Sequence, residues 1–126
     1  MIKKTLIVVL VIVALTFTAV MPSLSEQKIF DFSGSWIVRW LDNDTRNPIS
    51  LTQINERLNG TYTNDKKETC SISGQLVQKN NHITLRVDCP QWDIVMDGVP
   101  SSDGNTIKGI YIAYGTSKGD FEMTRK

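Results

Sequence analysis

The sequence predicts an all-β domain: an eight-stranded antiparallel up-and-down β-barrel, a meander, carried behind an N-terminal signal peptide. Three observations predict it. Between Gly34 and Arg125 the chain offers eight short segments of alternating apolar and polar residues, the period of a half-buried strand. Short polar loops join them, which favours antiparallel neighbours in chain order. The two cysteines, Cys70 and Cys89, occupy matching positions on the two arms of one hairpin. After Ser25 no segment carries a convincing helical period.

The 126 residues provide for one domain. Met1-Ile2-Lys3-Lys4 is a short basic head, and Thr5 to Met21 follows without a charge. Pro22 breaks the apolar run, and Ser23-Leu24-Ser25 has the small-x-small form of a signal-peptidase site. The expected division is residues 1–25 as signal peptide and 26–126 as a single barrel domain. An uncleaved anchor helix is the alternative, but the apolar run lies at the lower edge of what spans a bilayer. No cysteine follows it, so there is no lipobox. The expected location is secreted or periplasmic, with no membrane attachment after cleavage.

Of the 14 Lys and Arg, Lys3 and Lys4 leave with the leader, so the 13 Asp and Glu exceed the remaining 12 by one. That balance gives no footprint for nucleic acid or anionic lipid.

Gly34-Ser35-Trp36 opens the first strand, with Trp36, Val38 and Trp40 on one face and Arg39 on the other. Leu41 to Pro48 reads as a polar turn (Asp42-Asn43-Asp44, Asn47-Pro48). The second strand is expected from Ile49 to Ile54, with Ile49, Leu51 and Gln53 together. The third, Leu58 to Thr63, places Leu58, Gly60 and Tyr62 on one face. Asn64 to Glu68 is a charged turn. Trp92 to Val99 forms the sixth strand, with Trp92, Ile94 and Met96 on one face. Pro100 to Asn105 carries a strong turn signal, Ser-Ser-Asp-Gly-Asn. Thr106 to Tyr114 is the seventh strand, apolar on both faces. Gly115 to Gly119 reads as a loop, and Asp120 to Arg125 as the eighth strand.

The fourth and fifth strands form the hairpin that fixes the register. With a loop at Gln78 to Asn81, Leu76 faces Ile83, Gly74 faces Leu85, Ile72 faces Val87 and Cys70 faces Cys89. A one-residue slip would turn every one of these pairs to the wrong side. A disulfide across the hairpin follows, and it suits an oxidising compartment.

Gly34-Ser35-Trp36 resembles the opening strand of the calycin group: lipocalins, fatty-acid-binding proteins and avidins. In lipocalins the Trp commonly packs against an Arg from the last strand. The resemblance implies that Gly34, Trp36 and Arg125 close one end of the barrel. Leu58-Asn59-Gly60-Thr61-Tyr62-Thr63 is also similar to the Gly-Thr-Tyr strand of avidins. Val38 stands where avidins carry a biotin-contacting Asn, so the resemblance does not extend to biotin.

Enzymatic chemistry lacks its parts. There is no G-x-S-x-G, no H-E-x-x-H and no phosphate-cradling glycine loop, and the one histidine, His82, lies beside the hairpin loop. No catalytic residue, metal-ligand set or cofactor is expected. Closing eight strands leaves an interior that side chains fill or that holds one small ligand. The interior candidates are Gln53, Tyr62, Trp92, Met96 and Tyr111. All but Met96 join an apolar body to a polar tip, which suits orienting a ligand as well as filling a core.

Two readings of function follow. The first, implied by the calycin resemblance, is a lipocalin-like barrel binding a small apolar or amphipathic ligand inside. The alternative is an exported β-barrel inhibitor that binds a protein hydrolase through its loops. Bacterial inhibitors of metalloproteases and of lysozyme look similar in outline: export signal, length, compact barrel, one disulfide. The chain shares with the metalloprotease inhibitors an early strand Trp, two cysteines and a Trp soon after the second cysteine, Trp92. A hollow interior favours the first reading and a filled one the second.

Overall fold

A computed structural model describes residues 30–126; the expected signal peptide, residues 1–25, lies outside the described residues. Eight strands follow one another: β1 Gly34–Trp40, β2 Thr45–Ile54, β3 Arg57–Thr63, β4 Thr69–Val77, β5 His82–Asp88, β6 Asp93–Pro100, β7 Thr106–Ala113 and β8 Ser117–Arg125. Each pairs antiparallel with the next, and β8 returns to β1, so the sheet closes as a barrel in chain order. The closing seam pairs Trp36 with Arg125, Val38 with Met123 and Trp40 with Phe121. Closure leaves no free sheet edge.

The inward faces follow the alternation in the sequence. Trp36, Val38 and Trp40 from β1 are buried, as are Ile72 and Leu76 from β4 and Ile83, Leu85 and Val87 from β5. The β4–β5 hairpin has the expected register: Leu76 opposite Ile83, Gly74 opposite Leu85, Ile72 opposite Val87. A single 3-10 turn, Gln78–Asn80, makes the loop, and Asn81 at φ 51° completes the reversal. Asn tolerates that left-handed conformation better than most residues. One step beyond the ladder, Cys70 and Cys89 are bonded, with their Cα atoms 4.6 Å apart. Among the described residues no helix is long and apolar enough to cross a membrane.

At three boundaries the structure gives to strands residues that the sequence reads as turn or loop, and β3, β6 and β7 shift by one residue at an end: β3 starts at Arg57, β6 starts at Asp93 and β7 ends at Ala113. The polar stretch Leu41 to Pro48 is not all turn, because β2 begins at Thr45. Asn47 points inward and Pro48 outward within that strand. The β3 partners of β2 begin only at Ile49, so Pro48 is paired on the β1 side alone, a position that tolerates a residue without an N–H. β6 likewise runs to Pro100, which is buried rather than opening the turn. β8 begins at Ser117, three residues before its expected start. Gly119 belongs to that strand because it lies opposite Tyr111. A Cβ on it would come within 2.7 Å of the tyrosine ring, so the glycine gives that ring its seat.

Candidate functional site

A meander barrel collects alternate turns at each end, and the two ends here are unlike. One end receives the leading segment Phe30 to Ser33 and the C-terminus. Phe32 is fully buried, and its carbonyl accepts a 2.9 Å bond from Trp36 Nε1. The Arg125 guanidinium lies over the Trp36 indole, 4.5 Å from the ring centroid. It donates to the carbonyls of Ser33 (3.0 Å), Asp31 (2.9 Å) and Gly104 (3.2 Å) and to Asn105 Oδ1 (3.2 Å). Gly104, at φ +74°, has its Cα against the Phe30 ring. Gln53 also serves this end. Its Oε1 accepts from Phe32 N at 2.9 Å, and its Nε2 donates to the carbonyls of Phe30 and Asn55.

The middle of the barrel is packed. Val38, Val87, Met96 and Met123 have no exposed surface, and Leu58, Leu85 and Ile107 have almost none.

The other end is open. It is formed by the turns β1–β2, β3–β4, β5–β6 and β7–β8, and aromatic side chains crowd it. Trp40 packs edge-on against Tyr111 at 4.8 Å and Tyr62 at 6.2 Å. Tyr62 meets Trp92 edge-on at 6.2 Å, and Trp92 meets Tyr114 at 5.7 Å. Between them lies a solvent-open recess of about 280 Å³, whose wall includes Asn43, Asn47, Asp65 and Ile94. A second recess of about 240 Å³ adjoins it, sharing Tyr62, Asp65, Trp92 and Tyr114 and adding Lys66 and Gln91.

Hydrogen bonds hold this lining in place. Trp40 Nε1 donates to Asn47 Oδ1 at 3.0 Å, and Asn47 Nδ2 donates to Asp65 Oδ1 at 2.8 Å. Asp65 rides on a turn organised by Asn64, whose Oδ1 accepts from the amides of Lys66 and Glu68. Tyr111 donates its hydroxyl proton to Asp42 Oδ1 at 2.8 Å. The Cys70–Cys89 bond lies at this end, and Cys89 N donates to Trp92 O at 2.9 Å, closing the turn that presents Trp92.

The recess between the rings has one charged residue in its wall, Asp65, and the adjoining recess adds Lys66. Asp44 in the β1–β2 turn and Asp88, Asp93 and Glu122 on the strands each pair with Arg or Lys, and Asp97 pairs with His82. Among the described residues Asp42 and Asp65 have no such partner within 4.0 Å. Burial pushes the Tyr62 phenol up to about 12, with the Asp65 charge adding to it. Burial, the bond to Asp42 and the charges of Asp42 and Asp120 do the same for Tyr111, also to about 12. Both phenols are therefore neutral at physiological pH.

The structure thus brings Tyr62, Trp92 and Tyr111 together and separates Gln53 and Met96 from them. Gln53 ties down the leading segment at the far end, and Met96 is sealed in the core. Trp40, Asn47, Asp65 and Tyr114 join the mouth although the sequence did not single them out as site residues. Trp40 carried a signal, as the last inward residue of its strand; Tyr114 carried one as an aromatic at a strand end.

A larger concavity, about 560 Å³, lies on the outer wall of β3, β4 and β5 among Arg57, Asn59, Ser73, Gln75, Thr84 and Arg86. No aromatic side chain lines it, and Arg86 there is engaged with Asp88 and Asp93. The mouth, though smaller, is where the rings converge, and for that reason it is the candidate site. No protein-family model matches the chain, and no curated protein matches it.

Proposed function

We propose that this is an exported binding protein that holds a protein partner at the open mouth of its barrel. An exported hydrolase is the partner class implied by the inhibitor resemblance. One observation carries the reading: a filled interior beneath an aromatic mouth. Val38, Val87, Met96 and Met123 are wholly buried, while Tyr114 is 61 % exposed above them. A hollow barrel encloses its ligand; a filled one offers its end. Exposed Trp and Tyr are common anchors of protein interfaces. The disulfide supports an oxidising, secreted or periplasmic location.

The recess itself favours a second reading, a small aromatic ligand seated at the mouth. Its volume of about 280 Å³ lies just below the usual range of ligand pockets, roughly 300–1,000 Å³, which leaves little room for a fatty acid or a retinoid.

The experiment offers the oxidised mature protein a panel of purified secreted proteases and lysozymes, and separately small aromatics and fatty acids followed by Trp emission. We expect a protein partner to bind, Trp92→Ala and Tyr114→Ala to lose it, and Gln75→Ala on the outer wall to keep it. A partner retained by both mouth variants overturns the proposal. Saturable quenching by small molecules, with no hydrolase bound, replaces it by the ligand reading.

A further inference from the structure

This inference rests on the mouth reading and names what the partner places there. We propose that the mouth receives a basic side chain, Arg or Lys, presented by the partner protein. It would lie against the rings of Trp40, Tyr62, Trp92 and Tyr114, with the carboxylate of Asp65 in the wall and that of Asp42 at the rim.

Three features point to a cation. Indole and phenol faces attract cations, and a guanidinium stacks on them especially well. The molecule already makes such a contact at its other end, between Arg125 and Trp36. The recess wall carries the carboxylate of Asp65, and among the described residues neither Asp65 nor Asp42 makes an ion pair within 4.0 Å. Finally, both carboxylates are oriented before any partner arrives, Asp65 by Asn47 and Asp42 by Tyr111. Little side-chain freedom is left to lose on binding.

The other charge types fit less well. An apolar side chain would strip water from Asp65 without replacing it, which is costly for a carboxylate. An acidic one would face like charge. Of the nearby cations, Arg39 is engaged with Asp44 (3.4 Å) and Glu122 (3.9 Å) on the outer wall. Lys66 lines the adjoining recess and makes no ion pair with Asp65 within 4.0 Å, so the Asp65 carboxylate has no direct cationic contact. The open form of both recesses leaves room for the chain on either side of the inserted residue, which is why the cation is assigned to a protein and not to a free amine.

The test uses the ¹⁵N-labelled, oxidised mature protein and four probes: a blocked Gly-Arg-Gly tripeptide, its Lys counterpart, its citrulline isostere, and tetramethylammonium. Indole N–H resonances of Trp40 and Trp92 report on the mouth, and that of Trp36 on the closed end. We expect the Arg and Lys peptides to shift Trp40 and Trp92 saturably and leave Trp36 unmoved. Citrulline should bind at least about threefold more weakly, the scale of a partly exposed cation–π contact.

Asp65→Asn and Asp42→Asn keep the acceptor oxygens that Asn47 and Tyr111 use and remove only the charge. Each should weaken the Arg peptide roughly two- to fivefold and reduce its sensitivity to salt. Citrulline binding as tightly as arginine, or Asn variants that bind arginine like the native protein, overturns the proposal. Tetramethylammonium binding as tightly as the peptides overturns the assignment to a protein side chain. If no peptide binds while a hydrolase is held in a Trp92-dependent way, the cation inference is wrong and the mouth reading stands. A partner that survives Trp92→Ala removes both.

Discussion

Arg125 and Trp36 are direct partners across the seam that closes the barrel, and the guanidinium of one lies 4.5 Å over the indole of the other. The same guanidinium donates to three backbone carbonyls of the segments around it. One side chain therefore ties the first strand, the last strand, the leading segment and the β6–β7 turn together.

Replacing Arg125 by Ala should cost about 1–3 kcal/mol, from the lost cation–π contact and the carbonyls left without a donor. Denaturant unfolding of Arg125→Ala measures this directly. A midpoint equal to that of the native protein would show that the closed end holds without it. Lys at this position should recover only part of the loss, since an ammonium lacks the planar fork.

The disulfide spans 19 residues of sequence and closes the mouth side of the β4–β5 hairpin. By the chain-entropy estimate a loop of this size is worth about 3 kcal/mol. The double variant Cys70→Ala, Cys89→Ala should unfold at correspondingly lower denaturant. It should also loosen the Cys89–Trp92 turn, seen as a change in Trp92 emission before global unfolding. Unchanged emission below the transition would show that the turn is held without the bond.

Alkaline pH should destabilise the barrel through Tyr62 and Tyr111. Their phenols ionise near 12 in the folded protein, against the ordinary 10. Between these values the unfolded chain gives up protons that the folded one keeps, so stability present below pH 10 falls as pH rises towards 12. Phenolate absorbance near 295 nm should show two tyrosines titrating late, with urea midpoints falling over the same range. Titration of all three tyrosines near pH 10 without loss of structure would contradict the buried setting of these rings.

Much of the fold was legible in the sequence, because its determinants are local. Alternation with period two states which face of a strand is buried, and Trp36, Val38 and Trp40 or Ile83, Leu85 and Val87 read off directly. The hairpin register followed from matching two such patterns around one loop, and it placed Cys70 beside Cys89. The errors fell where local chemistry speaks for a turn but pairing overrules it. Asn47-Pro48 and Gly119 look like turn residues, yet one completes β2 and the other seats Tyr111.

The candidate site depended on a quantity the alternation does not carry. Period two says that Gln53, Tyr62, Trp92, Met96 and Tyr111 share a barrel-facing side, but not how high each lies along the axis. Height is set by the stagger that accumulates from strand to strand when a sheet closes. Closure sends Gln53 to the end plugged by Phe32, leaves Met96 in the packed middle, and lifts Tyr62, Trp92 and Tyr111 to the mouth beside Trp40 and Asp65. The sequence by itself determined the strands, their faces and the disulfide; only the tertiary structure decided that the interior is filled and the aromatic rings gather at one open end, because depth in a barrel is a property of all eight strands together.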